Sequence, residues 1–226
     1  MLINLSPYRY TRGRSGVRPP YKLVAFDLDG TLVEQVSSWG TLHRYFGTEA
    51  AVEGDLSAYE HGEIDYAEFM RRDIAPWPKP LHISTVQKAL TNYTLAPGAE
   101  LVVRELERRG YKVAIISGGI DILASQVAER LSISKTVANG LAADSDGYLT
   151  GEGILRVDPI NKHLVLKHIA KEWGLTLSEC VAVGDGMFDG NFLKHAGLGV
   201  AIGSNVKLRM VAGVIVPSLK AILKFL

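Results

Sequence analysis

The amino-acid sequence predicts an α/β fold, in which helices lie on both faces of a parallel sheet and a small all-helical cap is inserted after the first strand. Short apolar runs alternate with longer amphipathic segments, which is the pattern of a parallel sheet flanked by helices. The segment 37–93 interrupts this alternation, because it contains helical patterns and no convincing strand. It is also much longer than the roughly twelve residues that a crossover connection requires.

The strands are predicted where apolar runs are bounded by turn residues. Six such runs cover 22–26, 112–116, 135–138, 180–183, 199–202 and 213–216. The dipeptide Asp146-Gly147 predicts a hairpin over 144–153. Between the strands, one helix is expected to begin at Pro97 and to end before Gly110, and a second to end at Gly174.

Three parts of the chain follow from these elements. Residues 1–20 contain four arginines among Pro and Gly and are expected to form a flexible basic tail. Residues 21–36 and 94–226 form the α/β core, and residues 37–93 form the cap. Its helical patterns cover 39–46, 48–60, 65–74 and 84–92.

The composition limits the classes of partner and the compartment that are expected for this protein. A formal net charge of +1 gives no electrostatic reason to expect nucleic acid or an anionic membrane as a partner. We find neither an apolar run long enough for a membrane helix nor a signal peptide. The single cysteine, Cys180, cannot form an intramolecular disulfide and fits a reducing compartment. We therefore expect a cytoplasmic protein, either monomeric or dimeric.

Polar residues follow several of the predicted strands. Because ligands of open parallel sheets bind outside the carboxyl ends of the strands, these residues are expected to lie at one edge of the sheet. They are Asp27 and Asp29 after the first strand, Ser117, Gly118 and Gly119 after the second, Lys162 at a helix start, and Asp185 and Asp189 after the strand 180–183.

The chemistry of this set favours a phosphate site with a metal ion. Neighbouring carboxylates raise one another's pKa unless a cation neutralises them. Oxygen ligands suit a hard ion, and Mg²⁺ is the usual ion where phosphate is the substrate. A serine hydroxyl and glycine amides at a helix start can hold an anion, and Lys162 would add positive charge.

Two other sites are excluded by spacing. A calcium-binding loop with its glycine at Gly30 would need a glutamate at position 36, where the chain has Val36. A dinucleotide site would need a third glycine, which the stretch GDGMFD lacks.

Four motifs in this order resemble the pattern of the haloacid dehalogenase-like hydrolase superfamily. They are DLDGT after strand one, SGG after strand two, a lysine at a helix start, and GDG followed by Asp after a later strand. The resemblance covers the chain from about Lys22 onward and implies a Rossmann-like core. The helical insertion, the SGG form and VAVGDG are most similar to the phosphoserine phosphatase branch, which has a helical cap of the C1 type.

The resemblance implies a role for each acid. Asp27 would be the nucleophile that forms an aspartyl-phosphate, and it would also contact Mg²⁺. Asp29 would act as general acid for the leaving alkoxide and then as general base for water. The backbone carbonyl of Asp29 and the side chain of Asp185 would complete the metal ligands. Asp189 would order a metal-bound water or Lys162.

The remaining site residues contact phosphate or the leaving group. Ser117, the Gly118 amide and Lys162 would hold the transferring oxygens by the same resemblance. In the cap, the glutamate and arginine with which phosphoserine phosphatases hold their substrate fall near Val36 and Asp73, and neither residue type matches. Candidate substrate contacts in this chain are Arg72 and Tyr66. Where the family commonly has Asn before the last aspartate, this chain has Phe188.

The predicted function is Mg²⁺-dependent hydrolysis of a small phosphorylated metabolite. One alternative is a phosphomutase, which would use the same aspartate and return the phosphoryl group to the substrate. Another is a non-catalytic phosphate-binding protein on the same fold. The products of the reaction separate the three functions. A phosphatase releases inorganic phosphate, a phosphomutase forms an isomerised sugar phosphate, and a binding protein shows no turnover.

Overall fold

A seven-stranded sheet forms the centre of the protein. The structure, a computed structural model, describes residues 21–35 and 37–226, so that the predicted tail 1–20 and Val36 lie outside the described residues. The strand order is β4-β3-β2-β1-β5-β6-β7, and every pairing is parallel except that of β3 with β4. The strands are β1 (Leu23–Phe26), β2 (Lys112–Ile120), β3 (Lys135–Ala143), β4 (Leu149–Ile154), β5 (Cys180–Gly184), β6 (Leu198–Ile202) and β7 (Val214–Val216).

Strand β1 lies at the middle of the sheet and is fully buried on both faces. Side chains of a strand alternate between the two faces. Leu23 and Ala25 accordingly pack in one hydrophobic cluster, while Val24 and Phe26 pack in the other. Burial on both faces explains why this strand is continuously apolar. Phe26, the last residue of β1, pairs with Ile115 of β2 and with Val183 of β5, so β1 and β5 end at nearly the same level while β2 continues beyond them.

Helices cover both faces of the sheet, as the sequence predicted. The helices are α1 (Ser38–Phe46), α2 (Asp55–Glu60), α3 (Tyr66–Ile74), α4 (Ile83–Ala89), α5 (Ala99–Arg108), α6 (Asp121–Leu131), α7 (Lys162–Glu172) and α8 (Gly190–His195). Buried side chains of α5 and α6 share the cluster of Val24, and those of α7 and α8 share the cluster of Leu23. None of the helices in the described part of the chain combines the length and apolar character that a membrane span requires.

The inserted segment after β1 is helical and contains α1 to α4. Ser37 caps α1 by accepting a hydrogen bond from the Gly40 amide, and Asp65 caps α3 by accepting one from the Glu68 amide. The helix expected over 48–60 is divided instead into a short 3₁₀ turn and α2. Gly54 lies between the two with φ 99°, a conformation that ends a regular helix.

Two strands differ in length from the prediction. Strand β2 was expected to end at 116, but it continues through Ser117, Gly118 and Gly119 to Ile120, with a register shift against β3. The glycines therefore belong to the end of a strand, and helix α6 begins only at Asp121. Strand β3 likewise extends to 143 and forms the predicted hairpin with β4.

Candidate active site

The first motif begins where β1 leaves the sheet. The Asp27 amide donates its hydrogen bond to the Val183 carbonyl at 2.9 Å, which continues the β1–β5 ladder by one residue. The chain then turns sharply, and Gly30 has φ 82°, a value that glycine adopts without strain. This turn brings both Asp27 and Asp29 to the carboxyl edge of the sheet, where the side chains from β2 and β5 also lie.

Lys162 joins the first and fourth motifs. Its Nζ donates to Asp27 Oδ1 at 2.5 Å and to Asp189 Oδ1 at 2.7 Å. Burial alone would lower the pKa of Lys162, but the facing carboxylates of Asp189 and Asp27 outweigh it and hold this pKa above its usual value. Lys162 is therefore a charged ammonium group within the site.

Two acids of the site, Asp27 and Asp185, have raised pKa values because they are buried. Burial raises the pKa of Asp27 well above its usual range, and it also raises that of Asp185. Lys162 acts against the shift at Asp27, and a 2.6 Å hydrogen bond from Thr31 Oγ1 acts against it at Asp185. Three partly compensated carboxylates at one point favour a cation.

The fourth motif is held by hydrogen bonds around Asp189. Its Oδ2 accepts from the amides of Asp185 (3.1 Å) and Gly186 (2.8 Å). The Asp185 carbonyl accepts a hydrogen bond from Asn205 Nδ2 at 3.2 Å. These bonds fix both the backbone and the carboxylate of the motif at the end of β5.

The carboxylate cluster fits a hard divalent cation. Single oxygens of Asp27, Asp185 and Asp189 all lie within 4.8 Å of one another. The backbone of Gly30 closes one side of this cluster, since a Cβ there would lie 2.4 Å from Asp185 Oδ2. The expected set contained Asp27, Asp29 and Asp185. The side-chain cluster shares Asp27 and Asp185 with this set and adds Asp189. Asp29 was expected to contribute its backbone carbonyl, which stays a prediction.

Asp29 is held separately from the metal cluster. Its Oδ2 accepts a 2.9 Å hydrogen bond from Ser38 Oγ, while Oδ1 is buried and has no hydrogen-bond partner among the described residues. Burial raises the pKa of Asp29 to about 6, although hydrogen bonds from Ser38 lower it. Gly119 allows this close approach, because a Cβ there would lie 2.5 Å from Asp29 Oδ2. A buried carboxyl with a raised pKa is suited to proton transfer.

The second motif lies beside Asp29 at the end of β2. Ser117 is buried, and its Oγ accepts from the Gly119 amide at 2.9 Å. The Gly118 carbonyl accepts three hydrogen bonds, from Tyr66 Oη (2.6 Å), Asn139 Nδ2 (2.9 Å) and Trp39 Nε1 (3.3 Å). Two of these donors belong to cap helices, so the motif also attaches the cap to the core.

A cavity of about 390 Å³ lies between the motifs and the cap. Asp27, Asp29, Ser117, Gly118, Lys162 and Asp189 all line it. Aromatic residues line the rest of it, namely Trp39, Tyr66 and Phe69 from the cap and Phe188 from the fourth motif. The cavity therefore has a charged end at the sheet and a largely aromatic part near the cap, where His43 and Asp73 also line it.

The two cap residues proposed from the sequence have different positions. Tyr66 lines the cavity, with its hydroxyl on the Gly118 carbonyl. Arg72 is not among the cavity-lining residues. It is partly exposed, and its Nε donates to Glu68 at 2.7 Å, with Asp55 as a further partner at 3.7 Å. The guanidinium of Arg72 therefore faces acids on the cap surface, and its contact with a substrate stays a prediction.

Sequence reasoning missed several residues that shape the site. Ser38 and Asn139 are buried and bonded to the motifs, and His43 forms a buried pair with Asp73 in the cavity wall. A signal existed for Asn139, since an amide side chain in an otherwise apolar strand requires hydrogen-bond partners. Ser38 is adjacent to a helix cap, and nothing local distinguishes it from an ordinary first-turn serine.

Comparison with known proteins identifies the family of this architecture. The family model described as haloacid dehalogenase-like hydrolase matches residues 24–194. A phosphoserine phosphatase of Methanocaldococcus jannaschii is 35% identical over 91% of this chain and 97% of its own length. A phosphoserine phosphatase of Streptomyces coelicolor is also 35% identical over 92% of this chain, which spans only 51% of that longer relative.

A solved structure agrees in fold and in sequence. It is described as a phospho-aspartyl intermediate analogue of phosphoserine phosphatase and has a TM-score of 0.79 at 34% identity. The similarity covers 91% of this chain and 99% of that one. This chain therefore belongs to the haloacid dehalogenase-like hydrolases, in the phosphoserine phosphatase-like branch that its four motifs and helical cap predicted.

Proposed function

We propose that this phosphoric monoester hydrolase cleaves a small phosphorylated metabolite through an aspartyl-phosphate intermediate on Asp27. The observation that carries the proposal is the contact of Lys162 with both Asp27 and Asp189 at the end of the cavity. It joins a nucleophile, a cation and a cluster of oxygen ligands within one buried site. The relatives, which are named phosphoserine phosphatases, support the same reaction class.

Each residue has a separate part in the proposed reaction. Asp27 attacks phosphorus, and the bond between phosphorus and the leaving alkoxide breaks. Asp29 transfers its proton to that alkoxide and then accepts a proton from the water that hydrolyses the intermediate. Ser117, the Gly118 amide and Lys162 hold the phosphoryl oxygens and stabilise their charge.

Mg²⁺ is the proposed cofactor. Asp27, Asp185 and Asp189 would hold it, with the Asp29 carbonyl as a further candidate ligand. When bound, the ion would offset the repulsion between the carboxylates and the phosphate dianion and polarise a phosphoryl oxygen. Asp189 also keeps Lys162 in position, which is the supporting role that the sequence suggested for it.

The proposal also covers the role of the cap, the cellular location and the oligomeric state. We propose that residues 37–93 act as a cap that encloses the leaving group and excludes water, supported by the bonds of Trp39 and Tyr66 to Gly118. Cytoplasmic location is proposed from the free, buried Cys180. The protein is proposed to act alone or as a dimer.

A phosphate-release assay tests the function. Purified protein is screened with Mg²⁺ against phosphorylated metabolites that include phosphoserine, and inorganic phosphate is measured. We expect release that stops with a chelator, returns with Mg²⁺ and is absent in Asp27→Asn. Release that persists in Asp27→Asn would contradict the mechanism. An isomerised sugar phosphate without free phosphate would instead indicate a phosphomutase, and no turnover of any ester would indicate a binding protein.

A further inference from the structure

The cap wall of the cavity contains a buried pair of ionisable side chains. His43 and Asp73 are each 3% exposed, and both line the cavity. His43 Nε2 lies 2.8 Å from Asp73 Oδ2, and His43 Nδ1 lies 2.7 Å from Thr48 Oγ1. Both ring nitrogens are therefore occupied within the cap. The imidazole has no free nitrogen for an anionic ligand.

The pair carries no net positive charge while Asp73 is ionised. A neutral His43 donates from Nε2 and accepts at Nδ1 from the Thr48 hydroxyl, which leaves the pair with the single negative charge of Asp73. A protonated His43 balances that charge to zero. Burial raises the pKa of Asp73, while the hydrogen bond from His43 lowers it. In either ionic form, this wall offers no positive charge to a carboxylate.

The described residues that line the rest of the cavity supply no other free cation. Among the described residues that line it, the basic side chains are Lys162 and His43. Lys162 is bonded to Asp27 and Asp189 at the phosphate end. The arginines of helix α3 bond to Glu68 on the cap surface. A carboxylate on the leaving group would lose its hydration without an ionic partner, which is costly.

The same wall has features that suit an amine. Asp73 Oδ1 accepts no hydrogen bond in the described part of the chain, while Oδ2 is used by His43. The aromatic side chains of Trp39, Phe69 and Phe188 line the same cavity as Asp73. Aromatic faces and a carboxylate together are the usual surroundings of a bound ammonium group.

We propose that the substrate is a phosphorylated amino alcohol without a carboxylate, whose ammonium group is held by Asp73 and the aromatic wall. This inference rests on the proposed phosphatase function and specifies its leaving group. The family's substrate-binding arginine was expected near position 73, where this chain has Asp73, so a substrate contact there would have the opposite charge. His43 is a positioning residue that fixes Asp73 Oδ2 and leaves Oδ1 for the ligand.

Three phosphate esters form a matched series for the test. Phosphoserine carries an amine and a carboxylate, phosphoethanolamine carries the amine alone, and ethyl phosphate carries neither. Each is used as a competitor of p-nitrophenyl phosphate hydrolysis by the Mg²⁺-saturated full chain, which gives an inhibition constant whether or not the competitor is cleaved. We expect phosphoethanolamine to bind about tenfold tighter than phosphoserine, with ethyl phosphate between them.

Single-residue variants test whether this order of binding affinities depends on Asp73 and on the aromatic residues that line the cavity. Asp73→Asn keeps the shape of the side chain and should reduce the preference for phosphoethanolamine over phosphoserine severalfold. Phe69→Leu is the second variant, and it should weaken phosphoethanolamine more than ethyl phosphate. Arg72→Ala is the matched control, since Arg72 lies next to Asp73 in the chain but outside the cavity, and it should leave the preference unchanged. Circular dichroism shows whether each variant is folded.

The outcomes separate this inference from the proposed function. No hydrolysis of p-nitrophenyl phosphate or of any of the three esters with Mg²⁺ would overturn both. Hydrolysis with phosphoserine binding at least as tightly as phosphoethanolamine would overturn the inference alone, as would tightest binding of ethyl phosphate. A preference that persists in Asp73→Asn, or a selective loss of phosphoserine binding in Arg72→Ala, would also overturn it.

Discussion

Asp29→Asn should have opposite effects on activity and on the stability of the metal-free protein. Burial raises the pKa of Asp29 to about 6 from the usual 3.8, a difference of about two units. Because one unit corresponds to about 1.36 kcal/mol, ionising this group in the folded metal-free protein costs up to about 3 kcal/mol. Asparagine resembles the protonated acid and does not ionise.

The sign of the pH dependence follows from the raised pKa. The folded state favours the neutral acid, so its contribution to stability is present below pH 4 and is lost as the pH rises through 6. The variant should therefore match the wild type near pH 4 and exceed it by up to about 3 kcal/mol near pH 8. Urea denaturation in the presence of a chelator, at both pH values, measures the difference.

The catalytic effect should depend on the leaving group. Loss of a general acid typically costs about 10²- to 10⁴-fold. An alkyl phosphate needs a proton on its departing alkoxide, whereas p-nitrophenolate leaves readily without one. Asp29→Asn should therefore reduce kcat/KM much more for an alkyl phosphate than for p-nitrophenyl phosphate.

A matched control is available at the N-terminus of helix α3. Asp65→Asn makes the same chemical change at an exposed helix cap, where the two residues are about equally favourable, and should alter stability by less than about 0.5 kcal/mol. Equal losses of kcat/KM for both esters in Asp29→Asn would refute the role of Asp29 as an acid. A destabilised variant at pH 8 would refute the effect of burial on its pKa.

Three further substitutions test the geometry. Lys162→Met leaves two buried carboxylates without their cation. It should destabilise the metal-free protein by about 3–5 kcal/mol, measured by urea denaturation. An unchanged midpoint of urea denaturation would contradict the importance of this ion pair. Gly119→Ala places a Cβ 2.3 Å from Ser38 Oγ, so activity should be lost while circular dichroism stays native, and full activity would show that the contact is not needed. Gly30→Ala combines backbone strain at φ 82° with a Cβ that would lie 2.4 Å from Asp185 Oδ2. The Mg²⁺ concentration for half-maximal activity should therefore rise about tenfold. An unaltered Mg²⁺ titration would argue against the proposed metal cluster.

The central part of the fold could be predicted because its signals are local. Strand β1 is buried on both faces and is therefore a continuous apolar run, and the acids that follow it interrupt the pattern sharply. Parallel strands end at a common edge, so four motifs that follow or neighbour strands converge without further information. The prediction of a helical insertion was equally simple, since helical periodicity replaces strand patterns there.

The extent of β2 could not be predicted in the same way. Ser117, Gly118 and Gly119 are residues of turns, and glycine weakens a strand. The strand continues because distant groups bond to it, including Tyr66 on the Gly118 carbonyl and Ser38 Oγ, which accepts from the Ile120 amide at 3.1 Å. Such tertiary contacts outweigh local propensity and have no signature in the sequence.

In the cap as well, local sequence signals predict contacts within a helix but not contacts between helices. Arg72 has Glu68 four residues before it, a spacing that favours a surface ion pair on a helix, whereas the sequence reasoning proposed Arg72 as a substrate contact. By contrast, the pairing of His43 with Asp73 joins α1 to α3, and only the packing of the two helices brings these side chains together. The reaction class could therefore be predicted from the motifs, whereas the make-up of the cavity wall, which depends on such packing, could not.

The central claim, that Asp27 carries the phosphoryl group, is tested most directly by trapping the intermediate. Protein mixed with substrate and Mg²⁺ is quenched in acid within milliseconds, digested and analysed by mass spectrometry, with Asp27→Asn as the control. We expect the mass of one phosphoryl group on the peptide that contains Asp27, at the earliest times and only in the wild type. Rapid phosphate release with no phosphorylated peptide, or with the label on another residue, would contradict it.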